Sequence, residues 1–424
     1  MELLPVNENV LRLGEPLPVA LWDARGVLLL PRGAHIQDEA QRRRLMSLGP
    51  QVQVHEHERI RRPWILAMEQ MVLRNETLGR IADLQAGEVT PAAPESRGPE
   101  EPAVDLIHRW SSLRMRLGNT LRDPHSAEFR LRLLRDAQTL AALLQEDPDG
   151  ALLVLLHDAA RELRERAVRH GVLVSALCTL VALENPQVWP ADDVQRLCLA
   201  GLTMNLSVMA LHDRLALQAE APSAAQRAEL KDHGPRSATL LRQAGFVDET
   251  WLLAVAMHHH SHTLPAQESL ADVPPELALR YRARLLHKAD LFAARLSLRR
   301  SRPGLSVTQA ARAAYLDEAG AADSVGPWLL KTLGLYPPGA MVVLRSGESG
   351  IVCRRGMRPS APWVSVLASA SGTPLHEPLV RDTSNEAFSV VQAVAPHQLR
   401  LRVPLEAVLR GRPSSRVPEA AETA

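Results

Sequence analysis

The chain has 424 residues, 46% of them hydrophobic, which is ample for a buried core and suggests two to four domains. Its 49 Lys and Arg against 48 Asp and Glu leave a net charge of +1, so no general electrostatic attraction to nucleic acid or to a membrane surface is expected. Aromatic residues make up only 3%, too few for a base-stacking surface.

Cys178, Cys198 and Cys353 are scattered, form no metal-spaced pair and no disulfide framework, and suit a reducing cytoplasm. The opening MELLPVNENV has no basic segment followed by an apolar stretch, so no signal peptide is expected. The longest apolar run, Gly171 to Leu183, is short for a bilayer span, so no membrane span is expected either.

Residues 1–60 read as a small α/β module. Apolar runs Leu17 to Trp22 and Val27 to Leu30 flank the turn Asp23-Ala24-Arg25-Gly26, a hairpin signal, and Gln37 to Leu48 reads as a helix stopped by Gly49-Pro50. Residues 61–102 read as a helix over 63–84 followed by a linker rich in Pro, Ala, Glu and Gly. From 103 to 335 nearly all of the chain has helical periodicity, broken at Asp147-Pro148, Asn185-Pro186, Trp189-Pro190, Ala221-Pro222 and Arg302-Pro303-Gly304. Beyond Tyr336-Pro337-Pro338-Gly339 come short β-type runs, Met341–Leu344, Ile351–Cys353, Trp363–Leu367, Phe388–Val394 and Leu399–Val403, read as a small β module over 336–410. Residues 411–424 read as a disordered tail. The expected fold class is therefore mainly α: a helical bundle with a small N-terminal α/β module and a small C-terminal β module.

Chemistry is expected between His170 and Asp290. His170 falls within a helix running from Arg161 to Glu184, His233 at the Gly234-Pro235 break, and His258, His259 and His260 at the end of a helix that begins near Glu249. Asp290 is the most informative. It shares a helical face with Leu279, Ala283, Leu286, Ala293 and Ser297, which places a carboxylate in an apolar stripe. A buried carboxylate needs a partner from elsewhere, either a metal ion or an arginine such as Arg295. Taken singly, each histidine has a plain reading as a surface residue, a hydrogen-bonded core residue or a cation at a helix end. The combination is more specific: His, His, His-His and Asp on separate helices of one bundle form a donor set suited to zinc, iron or manganese.

That order resembles the HD-GYP branch of the HD-domain metal-dependent phosphohydrolases, the cyclic-di-GMP phosphodiesterases of bacterial signalling. The resemblance covers about 160–335 and rests on VRHGVLVSALC around His170, LKDHGPRSATLL around His233, AVAMHHHSH around His258 and His259, and KADLFAARLSLRRSRP around Asp290. It implies an HD-domain-like helical bundle with His170, His233, His258, His259 and Asp290 as metal ligands. This chain departs from the family's pattern at several positions. Met204 and Asn205 stand where the His and Asp of the HD dipeptide are expected, Val208 where a Lys is expected, and His260 where a Glu is expected. No GYP loop follows His260, and Arg166 replaces an acidic residue one turn before the upstream His. Two literal His-Asp pairs read as coincidence: His157-Asp158 precedes His170, which is the wrong order, and using His212-Asp213 would require deleting about two helical turns before His233.

The bridging Asp of that family offsets the repulsion between two dications, which a neutral Asn does poorly, and Met204 suits no hard or borderline metal. Two readings follow. In one, the chain is a member with a degraded metal site that senses a cyclic dinucleotide or binds a signalling protein. In the other, it is an active metal-dependent phosphodiesterase acting on cyclic-di-GMP or a related phosphodiester. The cofactor alternatives are one divalent metal (iron, manganese or zinc) and none. A helical scaffold unrelated to either is the third reading, and it predicts that the five side chains do not converge.

Overall fold

The computed structural model describes residues 3–5, 13–14, 17, 19–23, 27–31, 33–53, 102–260, 264–265, 267, 269–399 and 401–413. The expected turn at 24–26, the helix at 63–84, nearly all of the linker and residues 414–424 lie outside them. The protein is mainly α-helical, with two small antiparallel sheets, and divides into two units, Met1–Glu100 and Glu101–Ala424.

In the first unit, strands β1 (Leu3–Pro5), β2 (Leu21–Trp22), β3 (Leu28–Leu30) and β4 (Gln51–Gln53) form a sheet in the order β1-β4-β2-β3, with helix α1 (Glu39–Ser47) after β3. The Asp23 carboxylate accepts from Val27 N–H at 2.9 Å across the hairpin turn. Asp38 caps α1 by accepting from Gln41 N–H at 2.7 Å. Leu17, Val19, Leu21, Ile36, Leu45 and Val52 make a separate small core.

The second unit is built on α2 (Pro102–Arg122), α3 (Phe129–Glu146), α4 (Pro148–Arg161), α5 (Arg166–Glu184), α6 (Asp192–Thr203), α7 (Met209–Leu217), α8 (Ala224–Lys231), α9 (His233–Gln243), α10 (Glu249–Met257), α11 (Pro275–Leu296), α12 (Val307–Tyr315) and α13 (Gly326–Leu333). The breaks follow local chemistry. Asp147 ends α3 and caps α4, accepting from Gly150 N–H at 2.9 Å, while Pro148 occupies the first turn, where a missing N–H costs nothing. Ser223 and Ser306 open α8 and α12 with reciprocal capping boxes to Gln226 and Gln309.

Helix α5 is the central rod, buried along almost its whole length. It meets α6 where Gly201 faces Ser175; a Cβ at Gly201 would stand 2.4 Å from Ser175 Cα. Only glycine allows the two backbones to approach so closely. Two segments, Arg166–Glu184 and Asp192–Leu217, are long and apolar enough in composition to cross a membrane, although the shorter run read from the sequence suggested none was. Most of both is buried inside this unit.

A second sheet, β5 (Met341–Leu344), β6 (Ser349–Arg354), β7 (Trp363–Ala368), β8 (Pro374–Asp382) and β9 (Val390–Val394), runs in the order β8-β7-β6-β5-β9 with antiparallel pairs. The strand expected over Leu399–Val403 does not form. Residues Pro396–Leu399 are a short helix, α14, and a further helix, α15 (Leu405–Gly411), follows. Pro396 and Pro404 flank the expected strand; Pro396 is the first residue of α14 and Pro404 the N-cap of α15, positions where a missing N–H costs nothing. The sheet is continuous with the helical core. Val342, Ile351, Val352, Val364 and Val366 belong to the same buried cluster as Trp110, Leu152 and Leu177.

Candidate metal centre and ligand cavity

One end of the bundle carries a solvent-open cavity of about 500 Å³. Its lining comes from the start of α5 (Arg166, His170), the turn after α6 (Asn205), α7 (His212), α8 (Arg227, Leu230, Lys231), the start of α9 (His233), the turn after α10 (His259), α11 (Asp290, Ala294) and Arg299 beyond it.

Each histidine is placed by backbone structure. His233 opens α9, and its Nδ1 lies 2.6 Å from the Leu230 carbonyl oxygen. His258 follows α10, and its Nδ1 lies 2.7 Å from the Val255 carbonyl oxygen. A carbonyl can only accept, so both Nδ1 atoms carry the proton and both Nε2 atoms present lone pairs. Those two Nε2 atoms stand 3.2 Å apart. Two acceptors at that distance repel unless a cation lies between them. The separation is close to the edge of a tetrahedron of nitrogens around zinc, roughly 3.3 Å for Zn–N bonds of about 2.0–2.1 Å.

His259 completes the group, with one ring nitrogen from each of His233, His258 and His259 lying within 4.8 Å of one another. A ligand imidazole whose second nitrogen donates to a backbone carbonyl is the usual arrangement around a bound metal. The residues therefore fit a single cation held by three imidazoles. The close approach depends on Gly234, because a Cβ there would stand 2.8 Å from the Val255 carbonyl oxygen and 3.3 Å from His258 Cε1.

His170, 2% exposed on α5, meets Asp290 on α11, with 2.6 Å between Nε2 and Oδ1. Burial lowers the His170 pKa and Asp290 only partly opposes this. For Asp290, burial alone would raise the carboxyl, but the hydrogen bond from His170 and the imidazoles of His258 and His259 outweigh it and hold it well below the usual carboxylate range. The pair is therefore a neutral imidazole donating to a carboxylate, and His170 Nδ1 is left buried without a partner. The partner of Asp290 is His170, not Arg295. Burial, reinforced by His259, lowers His258 to about 3. Burial lowers His233 as well, so the facing Nε2 atoms of His233 and His258 are unprotonated near neutrality.

The five expected ligands converge in two subgroups, His233–His258–His259 and His170–Asp290. Asn205 lines the cavity with its Nδ2 buried and unpartnered. The turn that follows it is tied to α9 by Ser207, whose hydroxyl donates to the His233 carbonyl at 2.9 Å and whose N–H donates to Ser237 Oγ at 3.1 Å. Met204 is wholly buried in the core, and Val208 packs with Leu211 and Leu215, so neither reaches the cavity. His260 is exposed and lies outside the cavity lining.

The His212-Asp213 pair, set aside in the sequence because using it would delete about two helical turns before His233, does reach the cavity through His212. The His212 ring lies between His170 and His233, with centroids 6.2 Å and 6.4 Å away, and burial lowers its pKa to about 3. Asp213 accepts from Ala167 N–H at 2.8 Å and so pins the first turn of α5 to α7. The other literal pair stays apart from the site, with Asp158 bound to Arg114 and Arg169. His287, one turn before Asp290, lies 5.6 Å from His259 between ring centroids. Arg299 carried no sequence signal, because it lies beyond the end of α11 in an arginine-rich turn.

Neither a family model nor a curated protein matches the chain. A solved structure, Bd1817, a HDG"Y"P protein from Bdellovibrio bacteriovorus, resembles it at 14% identity over 78% of this chain and 99% of that one, with a TM-score of 0.43. A likeness at that level assigns the chain to no family.

Proposed function

We propose that this protein is an HD-GYP-like signalling protein with a degraded metal site, which binds one divalent cation and a cyclic dinucleotide or related phosphodiester as a sensing or partner-binding module, without efficient hydrolysis. The observation that carries the single-cation reading is the pair of facing Nε2 lone pairs of His233 and His258, with His259 beside them. A three-imidazole set with an open position suits zinc and also accommodates iron or manganese. Such a cation would polarise a bound phosphoryl oxygen.

Hydrolysis by two cations would need a carboxylate bridge to offset their repulsion. The neutral Asn205 stands where the resemblance places that bridge, and Asp290 is held by His170. The absence of a lysine at Val208 also removes a charge that would stabilise the phosphate.

The test is metal content of the purified protein together with turnover of cyclic-di-GMP under manganese, iron and zinc. About one cation per chain is expected, lost in His258→Ala, with no turnover above background. Turnover that disappears in His259→Ala would establish the active phosphodiesterase instead.

A further inference from the structure

The cavity holds a second polar feature that the cation site leaves unused. Four of its lining side chains are basic, Arg166, Arg227, Lys231 and Arg299, against one carboxylate, Asp290. That carboxylate is already bonded to His170. Arg166 is only 5% exposed and lines the cavity, yet it makes no hydrogen bond or ion pair with any described residue. Arg299 presents a buried Nε with no hydrogen-bond partner.

The other buried arginines among the described residues of this unit, Arg282 and Arg284, are matched by acids, as is the half-buried Arg355. Arg282 binds Asp193 at 2.7 Å, Arg284 binds Asp323 and Glu318, and Arg355 binds Asp149 and Glu184. Arg166 is buried and Arg299 half-buried, and neither is bonded to an acid; Asp290 and Asp213 act on Arg166, and Asp290 on Arg299, only at longer range, so a directly bonded anion would offset the cost of burying the charge. Arg166 is pushed down to about 9, by burial first and by Arg299 second, so it still carries its charge at neutral pH.

We propose that Arg166 and Arg299 form an anion site that takes a phosphoryl group of the ligand by direct charge-assisted hydrogen bonds, so that phosphate capture here does not require a metal. The inference deepens the reading of the cavity given above. In place of a second dication, the protein supplies fixed guanidinium charge, whose planar fork matches phosphate oxygens. The exposed Arg227 and Lys231 on α8 add positive charge along the same wall. A volume of about 500 Å³ leaves room for more than a bare phosphate.

The experiment is calorimetric titration of the full chain, stripped of metal with EDTA, against inorganic phosphate and separately against cyclic-di-GMP, with zinc binding measured on the same preparations. Saturable binding of at least one probe without metal is expected. It should weaken tenfold or more in Arg299→Gln and in Arg166→Gln, while zinc stoichiometry in Arg299→Gln stays at that of the unaltered chain. Phosphate binding without cyclic-di-GMP binding would keep the anion site and remove the cyclic dinucleotide as its ligand. Binding of either probe only after zinc is restored would overturn the anion site and leave the cation site standing. Equal affinity in Arg299→Gln, in protein whose circular dichroism is unchanged, would overturn it as well. Loss of zinc binding with phosphate binding retained would instead sink the cation reading alone.

Discussion

At the scale of single residues, the site is a set of buried polar groups whose partners are partly missing from the protein itself. Asn205 shows this most clearly, since its amide donor is buried and unpaired. Asn205→Asp removes that orphan donor but adds a second carboxylate to a cavity that already holds Asp290. Without metal the two like charges destabilise the fold, and with a dication they are compensated. The variant should therefore melt below the unaltered chain in EDTA and gain more melting temperature from added zinc or manganese. An equal metal increment in both proteins, by calorimetry, would show that Asn205 does not face a cation. The buried imidazoles set a pH dependence. His258 and His212 are each lowered to about 3, mainly by burial, from an ordinary value near 6.5. Between those values the unfolded chain binds protons that the folded chain does not, so their stabilising contribution is complete above pH 6.5 and is lost as pH falls below it. Each costs about 1.4 kcal/mol per pH unit, or about 2 kcal/mol at pH 5. Urea unfolding of EDTA-treated protein at pH 7.5 and pH 5 should show that loss, and a pH-independent midpoint would contradict the burial of both rings.

At the scale of elements, the site depends on helix ends brought close by glycine. His233 begins α9 and His258 follows α10, and the two imidazoles meet because Gly234 lets the backbones touch. Gly234→Ala must push α9 off the Val255 carbonyl by several tenths of an ångström. The expected result is a loss of about 1–3 kcal/mol in unfolding free energy and a tenfold or greater weakening of zinc binding. Unchanged zinc affinity in that variant would mean that the His233–His258 separation does not set the site. The same scale explains what could be read from sequence. Asp290 stood out because a carboxylate in an apolar stripe contradicts its own helix, and the histidines stood out because they punctuate otherwise apolar helices. His212 could not be placed that way. Which face of α7 turns toward the cavity is decided by how α7 crosses α5, a tertiary matter with no local sign. The helix expected from Arg161 begins only at Arg166: Arg161 closes α4, Glu165 takes a left-handed φ of 51°, and Asp213 from α7 accepts from the Ala167 N–H in the first turn.

At the scale of the whole molecule, the helical bundle and the C-terminal sheet share one core, although composition changes sharply at Tyr336. Local sequence records the change from helical to alternating periodicity, but whether two segments share a core depends on contacts made far apart along the chain. Gly339, with φ +96°, brings the chain so close to α4 that a Cβ there would stand 2.8 Å from Leu156 Cβ. Arg355 then fastens the sheet to the bundle. Its Nε donates to Asp149 at 2.6 Å, and one terminal nitrogen donates to Glu184 at 2.8 Å and to the Thr332 carbonyl at 2.6 Å. Arg412 adds an ion pair with Asp147, the residue that caps α4. Removing Arg355 leaves Asp149, largely buried at the start of α4, without its main counter-charge. Arg355→Ala should cost about 3–5 kcal/mol, the range for breaking a buried pair from one side, or less to the extent that water reaches the half-buried Glu184. Because the cavity side chains touch none of these groups, zinc stoichiometry in the folded fraction should not change. A chain ending at 335 should fare worse, since it bares Leu152, Leu156 and their neighbours to water at about 25 cal/mol per Å² of apolar surface. It should lose cooperative unfolding and bind a hydrophobic dye. If it remained soluble with a sharp two-state transition, the sheet would be an appended module, not part of the core that holds the site.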